Sequence, residues 1–326
     1  MNKVNQIIGI DISKDTFNAY SLRMGDANSS NNLKGFKAFE KFLEKESWCV
    51  MEATGSYHHQ LATYLYEKGY KVSIVNPLVI KRFIQMKLRQ TKTDKSDARM
   101  IALYGTEQPL QEWYPDPEYI EQCKMIGSAV NLYFKQSTAL KNKLHSLESK
   151  GSMTGALVRS LKRQLKNVQK EIDKMEVELE LLIKNNEGEM LTKLSTIPGI
   201  GRKTAMLLIS STNGFKMFEN HNQVSSYFGL APMERTSGSS VRGRSRITKT
   251  GDVKIRNHLF MCSFTACSSN KQCKALYDRI VAKGKSKKLA LIAVSNKLLK
   301  QAYAIAKTGL EYDSEYRSVR QTTLLK

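Results

Sequence analysis

Val158, Leu161, Leu165, Val168, Ile172, Met175, Leu179 and Leu182 recur at steps of 3, 4, 3, 4, 3, 4 and 3. A helix turns once in about 3.6 residues, so alternating steps of three and four keep one apolar seam in register along it. This stretch is therefore a long helix that must cover a narrow stripe with another helix. Upstream, Val130, Tyr133, Leu140, Leu144 and Leu147 keep a looser version of the same period, and Ser149-Lys150-Gly151-Ser152 lies between as a turn. The reading is an antiparallel helical hairpin over residues 111–190. Its seam can pair within the chain or between subunits. Both stay open, with some subunit pairing favoured.

Ahead of the hairpin, short apolar runs alternate with helical spacing. Ile7-Ile8-Gly9-Ile10 reads as a buried strand, Thr16–Leu22 as a second strand paired to it, and Trp48-Cys49-Val50-Met51 and Val72-Ser73-Ile74-Val75 as two more. Lys37–Lys45, His58–Lys68, 78–88 and 94–106 read as helices. Four strands and four helices in residues 1–110 predict an α/β domain with a mixed sheet. Pro109, Pro115 and Pro117 punctuate the exit. Residues 191–326 form a third, mainly α segment, broken by a Gly/Ser/Arg stretch at 235–251. It closes with a helix at Lys287–Lys307, and the residues from Glu311 onward have no period.

Charge separates these segments. Residues 1–190 carry 28 Lys and Arg against 23 Asp and Glu, whereas residues 191–326 carry 24 against 7, a net +17 out of +22. Such an excess on one segment predicts a polyphosphate partner, most simply DNA or RNA. No run of 18 apolar residues exists to cross a membrane, and Met1–Ile10 breaks into acid at Asp11 without the apolar core of a signal peptide. The five cysteines are scattered, odd in number and without a C-x-x-C pair, which predicts free thiols in a reducing cytoplasm.

Three groups of residues carry chemistry. Asp11 and Glu52 end two strands, and Asp94 and Asp97 are three apart at the start of a helix, where they could also cap it after Thr93. Acids at the carboxyl ends of neighbouring strands converge on one edge of a sheet. Gathered carboxylates repel unless cations lie between them, and hard oxygen ligands suit Mg²⁺ or Mn²⁺, two of which can clamp a phosphodiester displacement. Second, Ile197-Pro198-Gly199-Ile200-Gly201-Arg202-Lys203 reads as the turn of a helix-hairpin-helix element. Gly199 and Gly201 would let backbone N–H groups approach a phosphate, with Arg202 and Lys203 adding charge. Third, Arg235, Arg242, Arg244 and Arg246 flank the hydroxyl-rich Thr236-Ser237-Gly238-Ser239-Ser240, with Lys249 close behind; composition alone makes this a phosphate-binding loop. His58, His59, His145, His221 and His258 are isolated in spacing and read as structural or surface residues.

Taken in order, Ile8-Gly9-Ile10-Asp11, Glu52-Ala53-Thr54-Gly55, Asn76-Pro77, Lys92-Thr93-Asp94-Lys95-Ser96-Asp97-Ala98-Arg99, the Pro198-Gly199-Ile200-Gly201 turn and Ser237-Gly238-Ser239-Ser240-Val241-Arg242-Gly243 span nearly the whole chain. Together they resemble the insertion-sequence transposases with an Asp-Glu-Asp-Asp RuvC-like domain, the group that includes the Piv DNA invertases and the bridge-RNA-guided recombinases. The resemblance implies an RNase H-like (RuvC-like) fold for residues 1–110, a coiled-coil insertion at 111–190 and a transposase domain at 191–326. It implies that Asp11, Glu52, Asp94 and Asp97 hold Mg²⁺. It also implies that Ser237 is the nucleophile joined to a DNA 5′-phosphate, in a homo-oligomer (dimer or tetramer) where one subunit's acids meet another's serine. Many such proteins use a structured guide RNA, and the motifs leave open whether this chain does so or acts as a protein-only invertase. The resulting expectation is a site-specific DNA recombinase. The alternatives are a hydrolytic nuclease resembling a Holliday-junction resolvase and a non-catalytic nucleic-acid scaffold.

Overall fold

The computed structural model describes residues 6–53, 55–87, 94–151, 155–233, 236–237, 241–242 and 246–315; at 94, 95, 236, 237, 241 and 242 it describes the backbone alone. The chain divides into two compact units, Met1–Pro115 and Asp116–Lys326.

In the first unit β1 (Ile7–Ile12) turns back into β2 (Thr16–Ser21), which pairs with β3 (Gly25–Ser30), all antiparallel. After α1 (Leu33–Glu40) the chain enters β4 (Trp48–Glu52), parallel to β1. Then α2 (His58–Glu67) leads to β5 (Lys71–Val75), parallel to β4. The sheet order is β3-β2-β1-β4-β5, with α3 (Pro77–Met86) and α4 (Asp94–Glu107) completing the unit. One face of the sheet packs Ile8, Ile10, Phe17 and Met51 against Phe36 and Phe39 of α1 and Leu61 and Leu65 of α2. The other face packs Ile7 and Val50 against Ile80 of α3 and Ile101 of α4. Covered on both sides, β1 is a continuous apolar run rather than an alternating one.

Two expectations need correcting here. The segment Gly25–Ser30 is a strand that its Gly-Asp-Ala-Asn-Ser-Ser sequence does not announce. It is an edge strand held by its backbone ladder to β2 and by Asn28 Nδ2 donating to Asn18 Oδ1 at 3.0 Å. The first helix starts four residues earlier than its apolar spacing suggests, because the Asn32 side chain caps it by accepting from the Gly35 N–H, and it ends at Glu40.

The α4 helix lies against β1 at backbone contact. A Cβ on Gly9 would stand 2.2 Å from both Ala102 N and Ala98 O, and one on Gly105 would stand 2.8 Å from Ile7 Cγ2 and 3.0 Å from Val50 Cγ2. Only residues without side chains permit this approach.

In the second unit α5 (Glu118–Ser149) and α6 (Gly155–Ser195) pack along each other, so the seam pairs within the chain. Val158 and Ile172 are buried, but Leu161, Leu165, Val168, Met175 and Leu179 remain half-buried. The α6 helix breaks its regular geometry at Glu187 (φ −138°, ψ 36°), whose Oε1 accepts from Tyr119 Oη at 2.9 Å and Lys216 Nζ at 2.8 Å. Beyond it come α7 (Arg202–Thr212), α8 (His221–Tyr227), the short strands β6 (Pro232–Met233), β7 (Thr236–Ser237), β8 (Val241–Arg242) and β9 (Arg246–Ile247), then α9 (Val253–Ser269), α10 (Lys271–Ala282) and α11 (Lys287–Thr308). Their core joins Leu194, Ile209, Phe215, Phe228, Leu259 and Leu298. All five cysteines are free, and burial pushes the Cys49 and Cys273 thiols up to about 12, so both stay protonated and inert. Among the described residues no helix is long and apolar enough to cross a membrane.

The contact of α4 with β1 predicts that Gly9→Ala destabilises the first unit by about 1–3 kcal/mol through overpacking. A lowered melting transition in calorimetry is the expected result. An unchanged transition would mean that α4 does not rest on Gly9.

Candidate functional site

Asp11 and Glu52 each follow the last paired residues of two neighbouring parallel strands, Ile10 opposite Met51. They therefore stand at one level on strands about 4.8 Å apart. Side chains alternate along a strand, so Ile7, Gly9 and Asp11 share a face with Trp48, Val50 and Glu52, and this is the face that α4 covers. The helix runs counter to β1: Gly105 lies over Ile7, and Ala98 and Ala102 over Gly9. Two strand residues advance about 6.6 Å, which takes four to five helical residues at about 1.5 Å each. Two steps further along β1, at Asp11, the helix has reached its first turn, Asp94–Asp97. Asp11, Glu52 and Asp97 are each half-buried, and Ser96 Oγ lies 3.5 Å from Asp97 Oδ1. On β5 the next position along the same edge is Asn76, whose Oδ1 caps α3 by accepting from the Leu78 N–H at 2.8 Å. The side chain of Asp94 lies outside the described residues, and among those described no three His, Cys, Asp or Glu form a metal-binding group.

The first turn of α4 is tied down by a residue for which the motif suggested no role. Arg99 grips Asp26 of β3 through Nε (3.1 Å) and Nη2 (2.5 Å), and its guanidinium lies 5.1 Å from the Tyr20 ring centre. Hydrogen bonding to Asp26 holds the Arg99 pKa above its ordinary value. Asp26 was hidden from the sequence because its strand was hidden. His58, at the start of α2, has an Nδ1 without a hydrogen-bond partner, and burial beside His59 lowers its pKa, which fits a neutral structural histidine.

In the second unit, Gly199 and Gly201 do different work. Gly199 has φ +104°, and a Cβ there would stand 2.7 Å from Ala266 Cβ, so it is needed for packing against α9. Gly201 is exposed, caps α7 with no side chain, and faces open space. The adjoining cations are already engaged: Arg202 Nη2 lies 2.7 Å from Glu180 Oε1, and Lys203 Nζ 2.7 Å from Glu176 Oε2. The acids Glu176, Glu178 and Glu180 are visible as a cluster in the sequence, but nothing there says which cations they meet.

The 235–251 stretch, read as a loop, contains a hairpin. Pro232 and Met233 pair with Ile247 and Arg246, and Thr236 and Ser237 pair with Arg242 and Val241. Two residues separate the ladders on one strand and three on the other, so the ladders are out of step by one residue. Ser237 is thus the last paired residue before the tip, and Arg242 sits opposite Thr236. Arg235, Ser239, Ser240 and Arg244 lie outside the described residues. Arg246 and Lys249 are exposed, and Lys249 takes a left-handed backbone (φ 59°) while its N–H donates to Gly229 O at 3.2 Å.

An α/β unit with acids on one sheet edge, followed by a helical unit holding most of the positive charge, is the layout of an enzyme acting on nucleic-acid phosphates. Residues 8–147 match a family model described as transposase, of the DEDD and IS110 type, and residues 191–278 match the model of the IS116/IS110/IS902 transposase family. The chain is 29% identical over 320 residues to the pilin gene-inverting protein of Moraxella bovis, covering 94% of this chain and 97% of that protein. It is 23% identical over 326 residues to the transposase of insertion sequence element IS1111A from Coxiella burnetii, covering 90% and 87%. The chain belongs to the insertion-sequence transposase and recombinase family, and it is a DNA recombinase enzyme. Transposases of the DEDD class generally use a divalent metal.

The ion pairs at α7 make a prediction about DNA. If Arg202 and Lys203 meet phosphate, they must leave Glu180 and Glu176. Replacing both acids by Gln should raise DNA affinity about two- to fivefold per pair at moderate salt and steepen the salt dependence by up to about two charges. Equal affinities for variant and wild type, measured by fluorescence anisotropy across salt, would remove both cations from the interface.

Proposed function

We propose that the protein is a site-specific recombinase that cuts and rejoins double-stranded DNA through a covalent Ser237–5′-phosphate intermediate. In this reading the first unit has an RNase H-like (RuvC-like) fold. The sheet order β3-β2-β1-β4-β5, with an antiparallel β1-β2-β3 meander and parallel β1, β4 and β5, supports it. The observation that carries the reading is the register that sets Asp11 and Glu52 at one level on neighbouring strands, with α4 laid back along β1 so that its first turn lies toward that edge. Their hard carboxylate oxygens, with that of Asp94, fit Mg²⁺ or Mn²⁺. Such ions, when bound, stabilise charge on the attacking and leaving oxygens of a phosphodiester displacement.

Ser237 Oγ attacks the phosphorus, losing its proton, and the strand's 3′-oxygen leaves and takes up a proton. The phosphodiester energy stays in the serine ester, so rejoining needs no ATP. The cationic hairpin residues Arg242, Arg244 and Arg246 would offset charge on the reacting phosphate. Gly199 and Gly201 in a helix-hairpin-helix turn, with Lys249 and Arg235, would hold the backbone without reading sequence. The half-buried seam residues of α6 support a homo-oligomer, dimer or tetramer, in which one subunit's acids serve another's serine. Similarity to pilin gene-inverting proteins over nearly the full chain supports inversion as the reaction. A structured guide RNA is the second partner this reading carries. Sequencing the nucleic acid that co-purifies decides between an RNA-guided enzyme and a protein-only invertase.

The test is to stop the reaction with denaturant. Wild-type protein should be trapped on DNA at Ser237, and EDTA should prevent it until Mg²⁺ or Mn²⁺ is restored. Ser237→Ala should abolish adduct and product with DNA binding retained, and Asp11→Ala should abolish the adduct with Ser237 intact. If Ser237→Ala cuts at the wild-type rate, water is the nucleophile and the enzyme is a hydrolytic nuclease.

A further inference from the structure

Between the base of the serine hairpin and the first turns of α11 lies a groove of about 580 Å³, within the usual size of a small-ligand site, roughly 300–1,000 Å³. Its floor is apolar, formed by Leu230, Ile247, Leu289 and Ile292, and three cations, Arg246, Lys249 and Lys288, stand on its rim. All three are exposed, and among the described residues none is paired with a carboxylate. No described residue lining the groove is acidic. On its wall Asn296 Oδ1 accepts from Ser225 Oγ at 2.7 Å.

The walls are pre-set. Arg256 Nη1 donates to the carbonyls of Phe228 (3.1 Å), Thr250 (2.8 Å) and Gly251 (3.1 Å), and a Cβ on Gly229 would stand 1.9 Å from Thr250 O. Beside this packing Lys249 takes its left-handed conformation at the rim, with its N–H donating to Gly229 O.

An apolar floor under a cationic rim suits a ligand with a flat apolar face and a phosphate beside it. A base inside a duplex shows only its edges, since its faces are covered by its neighbours; to use this floor it must leave the stack. The chain's own last eleven residues have the wrong sign, with Arg317, Arg320 and Lys326 and no acid. We propose that the groove receives one unstacked nucleotide of the DNA strand, its base on Leu289 and Ile292 and its phosphates at Arg246, Lys249 and Lys288. Pro232, on the groove wall, precedes Ser237 by five residues and so lies at most about 18 Å from it. A strand advancing about 3.4 Å per nucleotide covers that in about five nucleotides. Holding a base out this close to the cut would keep the strand from re-pairing with its old complement before exchange. The nucleotide's distance from the cut rests on the serine reading; the groove's ligand does not.

The test uses the full-length protein and DNA duplexes with a short unpaired bubble, carrying 2-aminopurine at successive positions. At one position, wild type should raise the fluorescence as the base leaves its neighbours. Leu289→Glu, at an exposed position that the fold tolerates, should abolish that rise and weaken bubble binding about tenfold, with fully paired duplex bound nearly as before. Lys288→Gln should reduce the salt slope by about one. Fluorescence unchanged at every position, or Leu289→Glu binding the bubble as wild type does, overturns the proposal. So does a response to RNA of the same sequence but not to DNA, which makes the ligand RNA. A change in oligomeric mass as the sole effect of Leu289→Glu also overturns it, as the groove is then a subunit contact. If Ser237→Ala still cuts DNA but the fluorescence response persists, the serine reading falls and the groove stands.

Discussion

The backbone contact between α4 and β1 is the constraint on which the arrangement of the first unit's sheet edge depends. Because Gly9 and Gly105 carry no side chains, the helix settles onto the sheet so closely that an added Cβ at either position would clash. The rise of a helix and of a strand then decides which helical residues reach Asp11. A helix held off by one methyl layer would place its first turn elsewhere, with the acids still present in the sequence. The Arg99–Asp26 pair fixes the same turn from the side. Since both partners are partly exposed, its contribution is positional more than energetic.

Much of this unit was legible in the sequence. Strands β1 and β4 are covered on both faces and so appear as uninterrupted apolar runs, and Asn76-Pro77 marks the end of β5 as a cap followed by the residue suited to a first helical turn. The edge strand β3 was not legible, because its side chains alternate between half-buried and exposed and its stability comes from the backbone of β2. With it went Asp26, the partner that gives Arg99 a purpose. The acids at strand ends were legible as candidates, but their common level on β1 and β4 is a matter of register, which only pairing reveals.

In the second unit the seam was legible as a period, and its partner was not. A heptad stripe records that something must cover it, and here α5 covers it only in part, with Leu161, Leu165 and Val168 half-buried. The same limit applies to charge. Arg202 and Lys203 read as phosphate ligands from their place in the turn, yet in the folded chain they face Glu180 and Glu176. The hairpin around Ser237 was hidden by its composition: Thr, Ser, Gly and Arg read as loop, and ladders of two residues are too short to leave a period.

The α9 helix links the Gly199 turn and the hairpin base of this unit. Gly199 packs on Ala266 near its carboxyl end, while Gly251 packs on the Tyr227 carbonyl just ahead of Asp252, its cap at the other end. Fourteen residues at about 1.5 Å each set these points about 21 Å apart, which is about six nucleotides along a duplex strand. On the reading proposed above, one duplex can therefore touch the turn and the hairpin together. The two contacts would differ in kind. At the turn, carboxylates offset the cations, so what remains is an exposed backbone at Gly201. At the hairpin base, Arg246 and Lys249 carry charge that no described carboxylate offsets. On that reading the hairpin base would release counterions that the turn does not, next to the residue that would perform the chemistry. Electrostatic attraction and catalysis would then draw the strand to one place, and the turn about 21 Å away would set its direction.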